Sequence, residues 1–442
     1  MKKITSLLLI LLLASSVFAG PEPAVSLTVY NQNLALVREA RDLTLRKGVQ
    51  DFSYDGVAAR IDPTSVRFSA DGATVLEQNF EFDLVDRMSL MEKYLGETVD
   101  VTTEAEVIRG RLLSTSGGII LEDDDGNIRI IEPSVVHSVR FPELPQGLII
   151  KPTLRWILDS KHTGKVESEL YYLTGGIGWE ASYVGVVQDE QNLELSGWVQ
   201  ITNRSGANYV DARLKLMAGD VQIVRDAMSR KGGRVMAVEM DTGLQQQEFF
   251  EYHLYTVSRL VTVHDNQTKQ ISLMAPVKVP SERVYVYDGS RNGDKVEVGI
   301  NFVNEKKSGL GLPLPAGKVR LYQADDMDGS LQFVGEDRID HTPEGEKVEL
   351  TSGKAFDIVG ERTRVDFKRL GGDRGREETW RVEVRNRKKT DVNVIVREHL
   401  GGDWKILSES ATSKKVDSTT VEWTLPVPAG GSAEVSYEVR IN

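Results

Sequence analysis

Apolar and polar residues alternate along most of the chain, and the alternation is most regular between residues 167 and 221. Alternation with a period of two predicts strands that bury one face. The predicted strands lie at residues 170–173, 179–187, 193–202 and 212–216, with turn-forming residues between them. We predict that these four strands form an antiparallel meander.

Five aromatic residues are concentrated in this stretch, namely Tyr171, Tyr172, Trp179, Tyr183 and Trp198. Side chains of this size are among the main contributors to protein cores. We expect the group to fill the space between two sheets.

The N-terminal region has the same alternation, interrupted at Asn31-Gln32-Asn33, Lys47-Gly48 and Asp71-Gly72. From residue 86 to residue 95 the period changes, because Met88, Met91, Tyr94 and Leu95 fall on one face of a helix. Five short strands are then predicted at residues 98–102, 107–114, 118–122, 128–131 and 136–141. A short helix followed by five small strands is similar in pattern to an Sm-like or SH3-like barrel.

A weak internal repeat links the central and C-terminal regions. Asn203, Asn304 and Asn386 each follow an alternating strand and precede a polar turn and a second extended run. They recur about 100 and 80 residues apart, which is the size of an immunoglobulin-like sandwich. A strand–Pro-Ala-Gly–strand corner also occurs twice, at residues 315–317 and 428–430.

These patterns predict a mostly β protein with several immunoglobulin-like or other β-sandwich units and a small inserted barrel. The chain has 442 residues, enough for two to four domains. The predicted parts are a signal peptide (1–19), an N-terminal β region (20–85), the helix and barrel (86–142), a central sandwich region (143–360) with a long loop at 222–247, and a C-terminal sandwich (361–442).

The first nineteen residues indicate export. Lys2 and Lys3 give a positive start, residues 7–13 are almost entirely aliphatic, and Val17-Phe18-Ala19 fits a signal-peptidase site. An uncleaved membrane anchor is the alternative, but the apolar run at 4–19 is shorter than the roughly 20 residues a membrane-spanning helix needs. We expect a protein of the periplasm, the cell surface or the medium that is soluble after cleavage and is not an integral membrane protein.

Charge and cysteine content narrow the function. The formal net charge is −12, and loss of Lys2 and Lys3 with the signal peptide would make it −14, so we expect no nucleic-acid partner. The chain has no cysteine, which excludes disulfides, thiolate metal sites, thiol catalysis and a lipid-modified N-terminal cysteine.

Several segments resemble one bacterial protein family. They include YNQNLALVREARDLTLRKG at 30–48, YYLTGGIGWEASYV at 171–184, GWVQITNRSG at 197–206 and EYHLYTVSRLVTVHDNQTKQISL at 251–273. This order of motifs is similar to the family catalogued as domain of unknown function 4139, over nearly the whole mature chain and least in the small barrel. The resemblance implies a mostly β exported protein without an established activity, and it assigns no catalytic residue.

One aromatic run is a candidate ligand site. If residues 249–255 form a single strand, Phe249, Glu251, His253 and Tyr255 share one face, with Tyr252 on the other. A mixed aromatic and polar face of this kind could stack on a sugar or a peptide. Cross-strand aromatic packing explains the same residues, and we favour that interpretation.

Other candidate sites are better explained by local structure. The acidic loops at residues 121–127 and 325–329 resemble calcium loops, but each has an apolar residue at the first ligand position, and hairpin turns explain both. His341 has acidic neighbours in sequence, Asp340, Glu344 and Glu346, and we interpret that segment as a charged turn. No two of the six histidines have the spacing of a local metal pair. The sequence predicts no metal, no other cofactor and no identifiable catalytic residue.

The leading functional hypothesis is a non-enzymatic envelope protein that binds or scaffolds an envelope protein or glycan through sheet faces and loops. One alternative is a hydrolase of envelope polymers with carboxylates from separate loops, since catalytic residues can converge without a local motif. A second alternative is a subunit of a surface assembly that uses strand addition.

Overall fold

The computed structural model describes residues 23–83, 87–143, 149–219, 221–222, 244–249, 252–371 and 375–442, with the backbone alone for Arg87 and residues 244–249. The signal-peptide prediction and most of the predicted loop at 222–247 lie outside these ranges. The described chain is mostly β, as predicted. None of the described helices has the length and apolar character needed to cross a membrane.

Five strands precede the first helix: β1 (Val25–Tyr30), β2 (Leu34–Leu45), β3 (Gly48–Asp55), β4 (Arg67–Ala70) and β5 (Ala73–Glu81). Helix α1 (Arg87–Lys93) leads into β6 (Thr98–Thr103), β7 (Val107–Ser114), β8 (Ile119–Asp123), β9 (Ile128–Ile131) and β10 (Val136–Arg140). The central strands are β11 (Thr153–Ser160), β12 (Gly164–Gly175), β13 (Ile177–Val187), β14 (Asn192–Asn203), β15 (Tyr209–Ala218), β16 (Leu244–Phe249), β17 (Tyr252–Val257), β18 (Val261–Val263) and β19 (Gln267–Tyr287).

Helix α2 (Gly289–Asn292) follows β19. The remaining strands are β20 (Lys295–Val303), β21 (Gly317–Ala324), β22 (Leu331–Ile339), β23 (Lys347–Arg369), β24 (Arg376–Asn386), β25 (Val392–His399), β26 (Trp404–Glu409), β27 (Lys414–Lys415), β28 (Thr420–Val427) and β29 (Ser432–Ile441). Short 3₁₀ turns lie at Pro63–Ser65, Pro133–Val135 and Lys306–Ser308.

The strands form three sheets. An eleven-stranded sheet has the order β16-β17-β15-β1-β2-β12-β4-β5-β11-β3, with β18 paired to β15. A thirteen-stranded sheet has the order β22-β21-β13-β14-β19-β20-β23-β24-β29-β26, and β25, β27 and β28 join it beside β19. The third sheet contains β6 to β10 only.

The predicted antiparallel meander is wrong except for its central hairpin. β13 and β14 pair with each other, whereas β12 pairs with β2 and β15 runs parallel to β1 in the other large sheet. The chain crosses between the sheets at Gly176, which has a φ of +80°. A Cβ there would lie 2.5 Å from the backbone oxygen of Arg204, so the crossing requires glycine.

Long strands carry the chain from one part of the thirteen-stranded sheet to another. The first part of β19 pairs with β14, and its last part pairs with β20 and β25. Pro276 lies where the register with β14 shifts, which is a position that tolerates the missing backbone N–H of proline. β23 similarly pairs first with β20 and then with β24.

The small unit contains the predicted helix and five strands, but its sheet is open. The order is β10-β6-β7-β8-β9, and no pairing joins β9 to β10 among the described strands. The 3₁₀ turn at Pro133–Val135 carries the chain from one edge to the other, beside β6. Of the predicted helical face, Met91 and Tyr94 are buried, whereas Met88 and Leu95 are exposed.

Apolar residues form three buried clusters. The largest lies between the eleven-stranded sheet and the β13, β14, β19 and β21 region, and contains residues from Leu27 to Leu350. The C-terminal cluster contains residues from Tyr285 to Ile441, and the small unit has its own cluster around Leu112 and Leu121. Tyr285, Tyr287 and Val296 precede residue 361 but pack in the C-terminal cluster.

The three repeated asparagines have equivalent structural roles. Asn203, Asn304 and Asn386 are all 0% exposed and lie at or just after the end of a strand. Each amide nitrogen donates to carbonyl oxygens of its own turn and of a second loop, and each amide oxygen accepts a backbone N–H. The repeat is therefore a buried asparagine that satisfies the backbone groups of two adjoining loops.

Candidate functional site

Strands β22, β21, β13, β14 and the first part of β19 present one face to solvent. Val199 and Ile201 point into the core, so alternation places Trp198 and Gln200 on the opposite side of β14. The same alternation directs Ser182 and Val184 of β13 outward. In β13 and β14, every second residue is buried in the main core, and the residues between them form this face.

Trp198 is the most prominent residue of this face. Of the five aromatic residues predicted to fill the space between two sheets, Tyr172, Trp179 and Tyr183 are buried. Trp198 is 42% exposed and Tyr171 is half-buried. The cross-strand partners of Trp198 are Ser182 on β13 and Ser272 on β19. Because both partners are small, they leave the indole ring open to solvent.

A row of polar side chains lies beside the tryptophan. Glu180, Gln200 and Gln270 are cross-strand partners on β13, β14 and β19. The Gln200 amide donates to Glu180 at 3.3 Å, and the Gln270 amide donates to Gln200 at 3.4 Å. We call these three residues together with Ser182, Trp198 and Ser272 the Trp198 face.

A second aromatic pair lies on the same side of the sheet, on β21 and β22. The rings of Tyr322 and Phe333 meet edge to face with centroids 5.7 Å apart, and Phe333 is 57% exposed. Between this pair and Trp198, Glu336 accepts from Lys318 at 3.2 Å and lies 3.5 Å from Arg320. The charged residues of this region are thus paired with one another.

The predicted ligand-binding run does not form one strand. β16 ends at Phe249 and β17 begins at Tyr252, and these two residues are cross-strand partners in a hairpin. Glu251 and the side chain of Phe249 lie outside the described residues. Tyr252 and His253 are half-buried, and Tyr255 is buried, where its hydroxyl donates to the Pro313 carbonyl at 2.9 Å. Ligand binding by these residues stays a prediction.

A carboxylate and a histidine meet at the end of the C-terminal cluster. His399 Nε2 lies 2.9 Å from Asp288 Oδ2, and the Thr420 hydroxyl lies 3.5 Å from His399 Nδ1. The other carboxylate oxygen of Asp288 caps α2, accepting from Ser290 Oγ at 2.7 Å and from the Arg291 backbone N–H at 3.2 Å. The arrangement holds α2 against β25 and β28, and Thr420 is only 7% exposed.

Next to this trio, Arg362 and Glu398 form a buried ion pair. The Arg362 guanidinium donates to both oxygens of Glu398 at 2.8 and 2.9 Å, and Glu398 is 1% exposed. The guanidinium also stacks on Trp380, 3.3 Å from the ring centroid. Burial lowers the pKa of Arg362, but the hydrogen bonds and charge of Glu398 outweigh burial, and the pKa is raised overall. A carboxylate held in this way is neutralised rather than free for acid–base chemistry.

Two tyrosines complete this buried group. The hydroxyls of Tyr287 and Tyr437 are buried and have no hydrogen-bond partner among the described residues. Burial and the nearby carboxylate of Glu398 raise the pKa of Tyr287 to about 12 and hold the pKa of Tyr437 well above its ordinary value. Both groups therefore stay protonated at neutral pH.

A second buried carboxylate lies in the eleven-stranded sheet. Glu39 is 5% exposed, forms an ion pair with Arg41, and accepts hydrogen bonds from Tyr172 at 2.9 Å and Tyr54 at 3.3 Å. Burial, followed by the charge of Glu39, raises the pKa of both tyrosines. Glu39 and Glu398 are thus each paired with an arginine and lie close to tyrosines that stay protonated.

Both acidic loops are hairpin turns. Asp123 accepts the backbone N–H groups of Asp125 at 3.1 Å and Asn127 at 2.8 Å, and Asp325 accepts that of Met327 at 2.8 Å. These backbone hydrogen bonds lower the pKa of Asp123. Among the described residues, no group of three or more histidine and acidic side chains is placed to hold a metal ion.

His341 belongs to a turn that contacts the N-terminal region. Its Nδ1 accepts the Ala316 backbone N–H at 3.1 Å, and its Nε2 lies 3.4 Å from the side-chain nitrogen of Asn31. The neighbouring Glu344 forms an ion pair with Lys306 at 3.8 Å instead of with His341.

A cavity of about 370 Å³ lies in the small unit. It is lined by Thr98, Asp100, Arg109, Arg140, Phe141 and Pro142. Asp100 accepts two hydrogen bonds from Arg140, at 2.6 and 3.1 Å, and it is the cross-strand partner of Arg109. Asp100 offsets only one of the two guanidinium charges, and the cavity is lined only by residues of the small unit.

The sequence contains one signal for the Trp198 face, the alternation along β14. Val199 and Ile201 fix which side of β14 is buried, and the same alternation places Trp198 and Gln200 on the other side. The partner positions on β19 had no such signal, because their register depends on the bulge at Pro276.

The family model described as Domain of unknown function (DUF4139) matches residues 168–442, a narrower range than the resemblance implied. No curated protein matches the chain.

Proposed function

We propose that this chain, which belongs to the family of domain of unknown function 4139, is an exported, non-enzymatic protein that binds or scaffolds an envelope partner. The observation that carries the proposal is the solvent-facing side of β22, β21, β13, β14 and β19. Trp198 and Phe333 are 42% and 57% exposed there, and the opposite side of the Trp198 strand, β14, is packed in the main core. Large aromatic residues on a rigid, exposed surface favour recognition of a partner.

The N-terminal sequence supports export. The basic start, the aliphatic run at 7–13 and the small residues before position 20 are typical of a cleaved signal peptide. We expect the mature protein to begin at Gly20 and to fractionate with the periplasm, the cell surface or the medium. Mass spectrometry of the N-terminal peptide after expression in a bacterial host tests this, and an intact Met1 terminus in the cytoplasm would contradict it.

Pull-down from the envelope fraction tests the binding role. The mature protein is compared with Trp198→Ala and Phe333→Ser, and Phe356→Ala is the matched control because Phe356 is 94% exposed but lies on another strand. We expect one or more envelope components to be retained by the wild type and the control and lost in at least one face variant. Equal recovery by all four proteins would show that this face is not the binding surface.

Hydrolysis of an envelope polymer is the second candidate, and the His399–Asp288 contact at 2.9 Å favours it. In that case the Asp288 carboxylate would orient the imidazole, and the imidazole would serve as a general base. Release of soluble fragments from purified envelope polymers, lost in His399→Ala, would support a hydrolase. Equal inactivity of the wild type and the variant would support the binding role.

Assembly by strand addition is the third candidate. Among the described strands, β3 pairs with β11 alone, so one side of its backbone is open, and Val49 on it is 67% exposed. Proline at Val49 would block strand addition on this edge. Sedimentation showing the same monomer for the wild type and Val49→Pro would argue against assembly.

A further inference from the structure

The Trp198 face has an unusual composition for the outside of a sheet. Tryptophan is a residue that proteins largely bury, yet here it is directed away from a core that is filled by Tyr183, Val199 and Ile201. Among the described residues, Trp198 has no hydrogen-bond partner for its N–H and no ring or cation contact, and it is 42% exposed. The N–H group and the exposed part of the indole ring are therefore left for a ligand.

The side chains around the indole are hydrogen-bonding groups on a regular grid. Ser182 and Ser272 flank Trp198 in one row, and Glu180, Gln200 and Gln270 form the next row along the strands. Neighbouring strands lie about 5 Å apart, and residues two apart on a strand lie about 7 Å apart. The grid therefore presents hydroxyl, amide and carboxylate groups within a few ångströms of the ring on two sides.

The charged side chains around the face nearly balance. Lys318, which is the cross-strand partner of Ser182, donates to Glu336, and Arg320 is also within ion-pair distance of Glu336. Glu180 is a second carboxylate, and it accepts from the Gln200 amide. With Arg338, the cross-strand partner of Lys318, these side chains carry three positive and two negative charges, so a ligand at this position meets a surface of little net charge.

From this arrangement we infer that the Trp198 face is a binding site for a neutral carbohydrate chain. The C–H groups on one side of a pyranose ring carry partial positive charge and match the negative π face of the indole. The ring's hydroxyls and N-acetyl groups lie at its edge, where the serine, glutamine and glutamate side chains can donate and accept hydrogen bonds. An open face also accepts a long polymer at any point along its length.

This inference rests on the proposed binding role and names the class of ligand. Titration calorimetry of the mature protein with cellohexaose and with chitohexaose, and co-sedimentation with purified peptidoglycan sacculi, test it directly. We expect at least one of these neutral-backbone glycans to bind. Trp198→Ala should weaken binding at least about tenfold, and Trp198→Phe should retain part of it because the ring is kept.

Two controls separate a stacking role from a loss of structure. Phe356→Ala should bind like the wild type, and Gln200→Ala should weaken binding with an unchanged circular dichroism spectrum, because Gln200 is on the surface of the sheet. Binding that is unchanged in Trp198→Ala overturns the inference. Absence of binding to all three glycans at millimolar concentration also overturns it.

The proposed function can survive failure of this inference. If none of the glycans binds but the pull-down retains a protein that is lost in Phe333→Ser, the exposed side of the sheet is a protein-binding surface and the carbohydrate assignment is wrong. If no envelope component and no glycan binds, both the proposed function and the inference are wrong.

Discussion

Replacing Asn386 by alanine should destabilise the C-terminal cluster strongly, although Asn386 is a small polar residue. Its amide nitrogen donates to the carbonyl oxygens of Thr390 at 2.9 Å, Pro428 at 3.2 Å and Val427 at 3.3 Å. Its amide oxygen accepts the Lys388 backbone N–H at 2.9 Å. The side chain is 0% exposed, so water cannot replace these contacts without opening the turn.

The magnitude follows from the number of groups left without a partner. An amide NH₂ has two hydrogens, so the side chain makes about two donor bonds and one acceptor bond. Each contributes about 1 kcal/mol net, and buried partners that lose a bond cost more. We expect Asn386→Ala to lower the free energy of unfolding by about 3 kcal/mol. Asn386→Asp should cost at least as much at neutral pH, because a carboxylate cannot donate to the three carbonyl oxygens.

Urea unfolding and hydrogen exchange measure this effect. Trp380, Trp404 and Trp423 pack in or against the C-terminal cluster and report its unfolding by fluorescence, and exchange of the β24, β25 and β28 amides localises the loss. Asn393→Ala is the matched control, since Asn393 is an exposed asparagine on β25. If the free energies of unfolding of the two alanine variants differ by less than about 0.5 kcal/mol, the hydrogen bonds of Asn386 do not stabilise the turn that follows β24, and the reasoning is refuted.

Three further predictions concern the same cluster. Arg362→Met should cost about 3–5 kcal/mol in urea unfolding because Glu398 is left buried without a partner, and adding Glu398→Leu should restore most of the loss; a double variant as unstable as the single one would contradict this. Gly360→Ala should lower the melting temperature because its Cβ would lie 2.2 Å from the Tyr287 ring, whereas Gly353→Ala on the same strand, with nothing within 4 Å, should melt like the wild type. Because burial raises the pKa of Tyr287 to about 12 and also raises those of other buried tyrosines, their stabilisation is complete below pH 10 and is lost as pH rises above it. Above pH 10, each buried tyrosine that stays protonated lowers the free energy of unfolding by about 1.4 kcal/mol per pH unit. Circular dichroism and tyrosinate absorbance should change together, and smooth ionisation near pH 10 in a folded protein would contradict this.

The alternation of apolar and polar residues predicted the strands well, because each strand's alternation depends only on residues close together in the sequence. The five strands of the small unit lie within one or two residues of their predicted bounds, since each is short and separated by strong turn residues such as Gly126. The repeated asparagine was visible as a sequence mark, and the structure supplies its reason. Both features depend on a few residues within one or two turns of chain.

Strand partners could not be predicted in the same way. β1 pairs with β15 nearly 190 residues later, and alternation is the same whichever sheet a strand enters. The crossing at Gly176 and the pairing of β16 with β17 illustrate two different failures. Gly175-Gly176 predicts a turn, and a turn signal does not distinguish a hairpin from a crossing between two sheets. Residues 249–252 contain no glycine, proline, asparagine or aspartate to indicate a turn. The polar row of the Trp198 face could not be predicted for the same reason, because its three residues lie on three strands whose pairing registers are not given by alternation.

The strand pairings also determine what belongs to one folding unit. The family match begins at residue 168, inside β12, yet β12 pairs along its whole length with β2, and β15 pairs with β1. Leu27 and Val29 of β1 are 0% exposed in the largest cluster, so the matched region alone would leave part of its core open. The small unit differs in this respect. The chain leaves the eleven-stranded sheet after Glu81 and returns at Thr153, which is the direct cross-strand partner of Glu81, and the unit between them has its own buried cluster. We infer that the N-terminal strands are an integral part of the matched fold, whereas the small unit is an insertion that this sheet does not need in order to form.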